Sequence, residues 1–158
     1  MQFTNLCAPL AAVGLILSSA PAIAGARAEA RVGVLSEGGD TVTLGGIAAG
    51  YDYDFPVRVF IGGEVSIDNN FTSSSTGNAD LLIGLTARAG VKVGLGGRVY
   101  VTAGGTLRSL DNSPYHAGAG YQQAIGPKFY LKAEYRHFFA TGVNDNGDSV
   151  MGGVGFKF

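Results

Sequence analysis

The sequence predicts an all-β fold in which eight antiparallel strands close an up-and-down transmembrane barrel, and three observations predict it. Apolar and polar residues alternate with a period of two through most of the chain after residue 25, the mark of strands whose two faces meet different surroundings. Charged residues make up only 15% of the chain, against roughly 25% in soluble domains. Hydrophobic residues reach 46%, yet no apolar run approaches the ~18 residues of a membrane-spanning helix. Apolar residues spread over every second position are what a barrel facing hydrocarbon requires.

The first 24 residues read as a cleaved signal peptide. Leu6 to Leu17 is apolar, and Ala22-Ile23-Ala24 supplies the small-residue pattern that precedes a cut. Met1 to Asn5 departs from the usual pattern in having no Lys or Arg. Residues 25–158 are then one domain, and without Cys7 it has no cysteine for disulfide, zinc or thiol chemistry.

The strands follow in order. Ala26 to Leu35 sets Ala28, Ala30, Val32 and Val34 against Arg27, Glu29 and Arg31. Thr43 to Phe55 sets Ile47, Ala49, Tyr51 and Tyr53 against Gly46, Ala48, Gly50 and Asp52. After Pro56, Val57, Val59, Ile61, Val65 and Ile67 oppose Arg58, Phe60, Glu64 and Ser66. Asp80 to Val93 places Leu81, Ile83, Leu85, Ala87 and Ala89 against Thr86, Arg88 and Lys92. Arg98 to Arg108 places Val99, Val101, Ala103 and Leu107 against Arg98, Tyr100, Thr102 and Thr106. Tyr115 to Ile125 alternates more weakly. The final hairpin sets Phe129, Leu131, Ala133 and Tyr135 against Lys132, Glu134 and Arg136, and ends with Val150, Val154, Phe156 and Phe158 on one face. Each run is near the ~9–11 residues of a tilted membrane strand.

Phe55-Pro56, Gly94 to Gly97 and Gly126-Pro127 read as tight turns. Ser36 to Val42, Asp68 to Ala79, Asp111 to Pro114 and Ala140 to Asp148 read as the more polar loops of the opposite end. Short turns on the periplasmic side and longer loops outside are the outer-membrane arrangement. Tyr53, Phe55, Phe129, Phe156 and Phe158 would form the periplasmic aromatic girdle, and Tyr115, Phe138 and Phe139 the outer one.

Energy decides which face meets lipid. An Arg or Lys on the lipid side costs about 2–4 kcal/mol at the midplane. Glu29, Arg31, Glu64, Arg88, Lys132, Glu134 and Arg136 share the non-aliphatic face, so this face must line the lumen. A soluble lipocalin-like barrel would reverse the two faces. An eight-stranded lumen is just wide enough for side chains to fill, and glycines of the same parity, including Gly50, Gly120 and Gly155, leave room for long ones. The ionic residues are expected to pair inside; the other reading is a narrow water path.

The segment Leu131-Lys132-Ala133-Glu134-Tyr135-Arg136, a polar loop, and the ending Gly153-Val154-Gly155-Phe156-Lys157-Phe158 resemble the opacity-protein-like outer-membrane β-barrel family. That family is itself similar to the transmembrane domain of OmpA. Gly153, Phe156 and Phe158 are similar to the assembly signal read by the outer-membrane insertion machinery, with Met151 where a polar residue is usual. The resemblance implies a multi-pass barrel in the outer membrane of a Gram-negative bacterium, in contact with lipid and lipopolysaccharide. It implies a structural or surface-interaction role, adhesin- or opacity-like, with a host or surface ligand meeting the loops. A small porin-like channel is the alternative.

Neither a cofactor nor nucleic-acid binding is expected, the formal charge being −1, and a monomer is expected. A lipid A-modifying enzyme is the remaining alternative. The His-x-Ser-Asn pattern of the deacylases would start at His137, but Phe139 and Ala140 stand at the serine and asparagine positions, so no nucleophile accompanies it. His116 has lumen parity, with Ser113 close in sequence. Carboxylates at Glu37, Asp40, Asp68, Asp80, Asp111, Asp145 and Asp148 lie in or beside the loops. Asn144-Asp145-Asn146-Gly147-Asp148 lacks the spacing and distal Glu of a calcium loop and reads as a solvated turn.

Overall fold

The computed structural model describes residues 25–71, 81–107, 115–139 and 146–158. The expected signal peptide, and the expected loops over 72–80, 108–114 and 140–145, lie outside them. Eight strands form a closed antiparallel barrel in sequence order: β1 (Ala26–Glu37), β2 (Asp40–Asp54), β3 (Val59–Asn70), β4 (Leu81–Val93), β5 (Gly97–Leu107), β6 (Tyr115–Ile125), β7 (Phe129–Phe138) and β8 (Gly147–Lys157). β8 closes on β1, with Ala30 opposite Val154. Every strand pairs with both neighbours, so no edge is left with unpaired backbone.

The expected alternation is present. Val65, Leu85, Val101 and Val150 stand outward, each more than half exposed, whereas Glu64, Arg88, Lys132 and Glu134 are at most 5% exposed. This inversion of the soluble pattern is what a barrel surrounded by hydrocarbon shows.

The stagger follows from the register. The hydrogen-bonded row that leaves β1 at Ala26 runs through Tyr51, Gly63, Ala87, Ala103, Ala117, His137 and Asp148 and returns to β1 at Ser36, ten residues farther along. Eight strands with that shear tilt by about 40° to the barrel axis.

The lower end carries the turns at residues 55–58, 94–96 and 126–128. Gly94, Gly96 and Gly126 have φ of 54°, 85° and 71°, a region that glycine enters without steric cost. Arg58 sits there too, at φ 63°, and its carbonyl accepts from Lys92 N at 2.7 Å. Arg58 and Val57 therefore belong to the turn, not to the third strand's alternation.

At the upper end, the first connection differs from the expected loop over Ser36 to Val42. β1 and β2 continue to Glu37 and Asp40 and are joined only by Gly38 and Gly39, at φ 61° and 94°. Two successive left-handed glycines are the requirement of a tight hairpin turn. β3 also runs farther than expected, to Asn70, which pairs with Leu44 of β2. Asp68 is consequently a strand residue rather than a loop one.

Candidate functional site: the ionic lumen

Polar side chains that alternation turns inward meet across the barrel. Glu64 on β3 is the hub. Its carboxylate accepts from Arg27 Nη1 at 2.7 Å, Arg31 Nη1 at 2.9 Å and Arg136 Nη2 at 3.0 Å, with Lys132 Nζ at 3.4 Å. Lys132 and Arg136 stand on β7, four strands from β3 and so on the opposite wall; these contacts cross the full lumen.

Two further carboxylates complete the middle layer. Glu29 pairs with Lys132 and accepts from Tyr130 Oη at 3.0 Å. Glu134 pairs with Arg136 and accepts from Tyr100 Oη at 2.8 Å. Below them, Arg88 grips Asp52 with two bonds of 2.9 and 2.6 Å and donates to Gln122 Oε1 at 3.0 Å. The Arg88 guanidinium lies 4.7 Å from the Tyr100 ring centroid and 5.2 Å from that of Phe60, where the ring faces favour a cation. Above them, Arg31 forks onto Asp68, with Nε to Oδ1 at 2.8 Å.

The buried cations Arg27, Arg31, Arg88, Lys132 and Arg136 equal in number the buried anions Glu29, Asp52, Glu64, Asp68 and Glu134. An interior balanced in charge needs no imported counterion. Buried pairs of this kind are tolerated when further hydrogen bonds satisfy their remaining atoms. The two tyrosines and Gln122 supply some of these bonds, while Arg27 Nη2, Arg88 Nη1 and Gln122 Nε2 are left without a partner among the described residues.

Glycine makes the close packing feasible. A Cβ on Gly120 would come within 2.4 Å of the Tyr100 hydroxyl, and one on Gly155 within 2.1 Å of Tyr130 Cζ. At the lower mouth, Arg98 bridges Asp52 at 3.2 Å and Asp54 at 2.9 Å, and Lys92 reaches Asp54 at 2.9 Å. A cavity of about 20 Å³ remains there among Gly25, Arg27, Asp52, Asp54, Arg98 and Lys157, space for about one water.

The seven charged residues expected in the lumen, Glu29, Arg31, Glu64, Arg88, Lys132, Glu134 and Arg136, therefore lie in one connected cluster. Sequence reasoning did not place Arg27, Asp52, Asp68, Tyr100, Tyr130 or Gln122 in it. Parity alone identified Arg27 and Asp52 as inward; nothing local marked Asp68, because a Ser- and Asn-rich stretch follows it.

The other expected sites are separate. Gly153 lies inward, where a Cβ would meet Arg31 Cβ at 3.4 Å. Phe156 lies outward at the lower end between Phe129 and Phe158, with centroids 5.3 Å from each. Phe138 is a correction: it points inward, its ring 5.5 Å from that of His116, because it has the parity of Arg136 and not of Phe139. His116 is buried, with Nε2 3.0 Å from Thr86 Oγ1 and Nδ1 3.4 Å from Thr106 Oγ1. His137 is on the outer face at the upper rim, with Nδ1 2.8 Å from Asp148 Oδ1, which also accepts from Tyr135 Oη at 2.5 Å. Among the described residues no cluster of three or more His, Cys, Asp or Glu could hold a metal ion.

These features define the class: a closed, eight-stranded barrel of transmembrane type with an apolar outside and an ionic inside. No protein-family model matches the chain, and no curated protein sequence matches it. Solved structures do match. The attachment invasion locus protein Ail of Yersinia pestis is similar with a TM-score of 0.60 and 17% identity, over 86% of this chain and 100% of that one. The N-terminal barrel domain of Pseudomonas aeruginosa OprF gives 0.56 and 21%, over 84% and 97%. Neisserial surface protein A gives 0.55 and 17%, over 84% and 96%. The chain thus has the fold of these eight-stranded bacterial outer-membrane barrels.

Proposed function

We propose that this protein resides in the outer membrane of a Gram-negative bacterium as a sealed, non-catalytic barrel. Its role is structural or surface-interacting, in the adhesin- or opacity-like manner, carried by what the upper end presents. The observation that carries this is Glu64 bound to Lys132 and Arg136 on the opposite wall: the lumen is crossed by its own side chains, which supports a scaffold over a channel. Gly153, Phe156 and Phe158 are proposed to serve as the signal for the insertion machinery, supported by the exposed aromatic ladder at the lower end.

The partner's chemistry is narrowed by charge. Ail has been crystallised with the heparin analogue sucrose octasulfate. Here the acids described at the upper rim are Glu37, Asp40 and Asp148, with His137 paired to Asp148, so a polyanion is disfavoured and a neutral or cationic surface is the better fit. Enzymatic modification of lipid A is disfavoured by the surroundings of both histidines. Nδ1 of His137 is engaged by Asp148, and His116 is enclosed between two threonines.

Planar bilayers test the sealed lumen. The reconstituted protein is expected to show no stable conductance; steady single-channel steps altered by Arg88→Gln would establish the porin-like alternative instead. Shortening the 72–80 segment is expected to abolish adhesion of expressing cells while leaving the barrel intact, and unchanged adhesion would refute the surface role of that segment.

A further inference from the structure

On the lipid side of the barrel the outward residues are not uniformly bulky. In the row described above, Gly63, Ala87 and Ala103 follow Tyr51 across β3, β4 and β5. They form, with Ala89, the floor of a groove of about 620 Å³ bounded by Tyr51, Tyr53, Ile61 and Val101. A Cβ on Gly63 would meet nothing within 4 Å, so the depression is open space and not a gap filled by a neighbouring side chain. With strands tilted about 40°, the row climbs at about 50° to the membrane normal. It starts near the lower rim at the two tyrosines and rises toward the barrel's middle.

The lower rim is also the basic end. Arg58, Lys92, Arg98, Lys128 and Lys157 lie there against Asp52 and Asp54, and both acids are engaged by the rim's own cations or by Arg88. Arg58 is exposed on the turn that joins β2 to β3, the two strands bearing Tyr53 and Ile61.

We propose that this inclined groove is a docking site for one acyl chain of an anionic phospholipid of the periplasmic leaflet, its phosphate lying at the Tyr51–Tyr53 end within reach of Arg58. The dimensions agree. An outward apolar band of about 25 Å leaves some 12 Å per leaflet. A path inclined at about 50° covers that rise in roughly 19 Å, and the groove from Tyr51 to Ala103 spans three inter-strand spacings, about 14 Å, so it holds most of one chain's path through the leaflet. Tyrosine hydroxyls at the interface suit ester and phosphate oxygens, and a cationic rim favours an anionic over a zwitterionic headgroup. A second copy is a poorer occupant, since a concave floor at this slope needs a ridge of the same slope on its partner.

The proposal rests on the outer-membrane reading above, and the experiment separates the two. The full chain is reconstituted into bilayers of phosphatidylcholine with a minor fraction of phosphatidylglycerol, released in mild detergent, and its retained lipid counted by native mass spectrometry. One phosphatidylglycerol is expected on each barrel, with phosphatidylcholine lost. Gly63→Leu and Ala87→Leu, which fill the groove without touching the lumen, are expected to lower retention about tenfold, equivalent to about 1.4 kcal/mol. Arg58→Gln is expected to lower it about fivefold, the scale of one surface cation, and Ala133→Leu on the opposite wall not at all. Equal retention of both lipids, or equal retention by Ala87→Leu and Ala133→Leu, would overturn the proposal. A chain that stays in vesicles under alkaline carbonate yet carries no selective lipid sinks the groove alone. A chain that carbonate releases sinks the membrane reading and the groove together.

Discussion

Neutralising Glu64 is the sharpest test of how the barrel is held together. In Glu64→Gln the side chain keeps its shape but loses its charge, and Arg27, Arg31, Arg136 and Lys132, now 2.7, 2.9, 3.0 and 3.4 Å from its oxygens, lose their shared anion. The interior then holds one cation more than it has anions. Removing one partner of a buried pair costs about 3–5 kcal/mol, because the other charge stays buried and uncompensated. Against a total of roughly 5–15 kcal/mol, that is a large fraction. The assay is urea unfolding of the barrel in lipid vesicles, followed by the gel-mobility difference between unboiled and boiled samples. Adding Lys132→Met restores the balance and is expected to recover about 1 kcal/mol or more, a coupling of the size seen between residues in one network. A loss below about 0.5 kcal/mol for the single change, the range of an ordinary surface substitution, would refute the reasoning, since it would mean that the four cations are already solvated in a water-filled lumen.

Three other outcomes are expected. Gly155→Ala drives a methyl group into the Tyr130 ring and separates Tyr130 from Glu29, whereas Gly152→Ala on the outer face meets nothing nearer than Lys132 O at 4.0 Å; the first is expected to cost about 1–3 kcal/mol in the same unfolding assay and the second nearly nothing. Leu85→Arg, on a residue 68% exposed, is expected to cost up to about 2–4 kcal/mol in bilayers, and a neutral result would place that face in water. Intact-mass measurement of the membrane-extracted protein is expected to show a chain beginning at Gly25, and retention of the first 24 residues would rule out the proposed cut after Ala24.

What could be read in the sequence was parity, and what could not was stagger. The inward placement of Glu29, Arg31, Glu64, Arg88, Lys132, Glu134 and Arg136 needs only a count of two along each strand and the cost of a charge in hydrocarbon. Tyr100 and Tyr130 had the same parity, but a tyrosine suits an interfacial girdle equally well; only their contacts with Glu134 and Glu29 assign them to the lumen. Asp68 was hidden because its strand continues to Asn70 through pairing with Leu44 to Gly46 of β2, although its own stretch is polar. The pairings are a different matter. A slip of two residues between any two neighbouring strands would leave all seven charged residues facing inward, yet would move each by about 6.6 Å along its strand. That is farther than a hydrogen bond can follow, and Glu64 would no longer reach Lys132 and Arg136 across the lumen. The ionic residues are therefore fixed by local alternation, whereas the network exists only because eight separate registers add to a closure of ten residues. The same closure sets Gly63, Ala87 and Ala103 in one rising row on the outside, so the sealed interior and the inclined groove are two consequences of a single stagger.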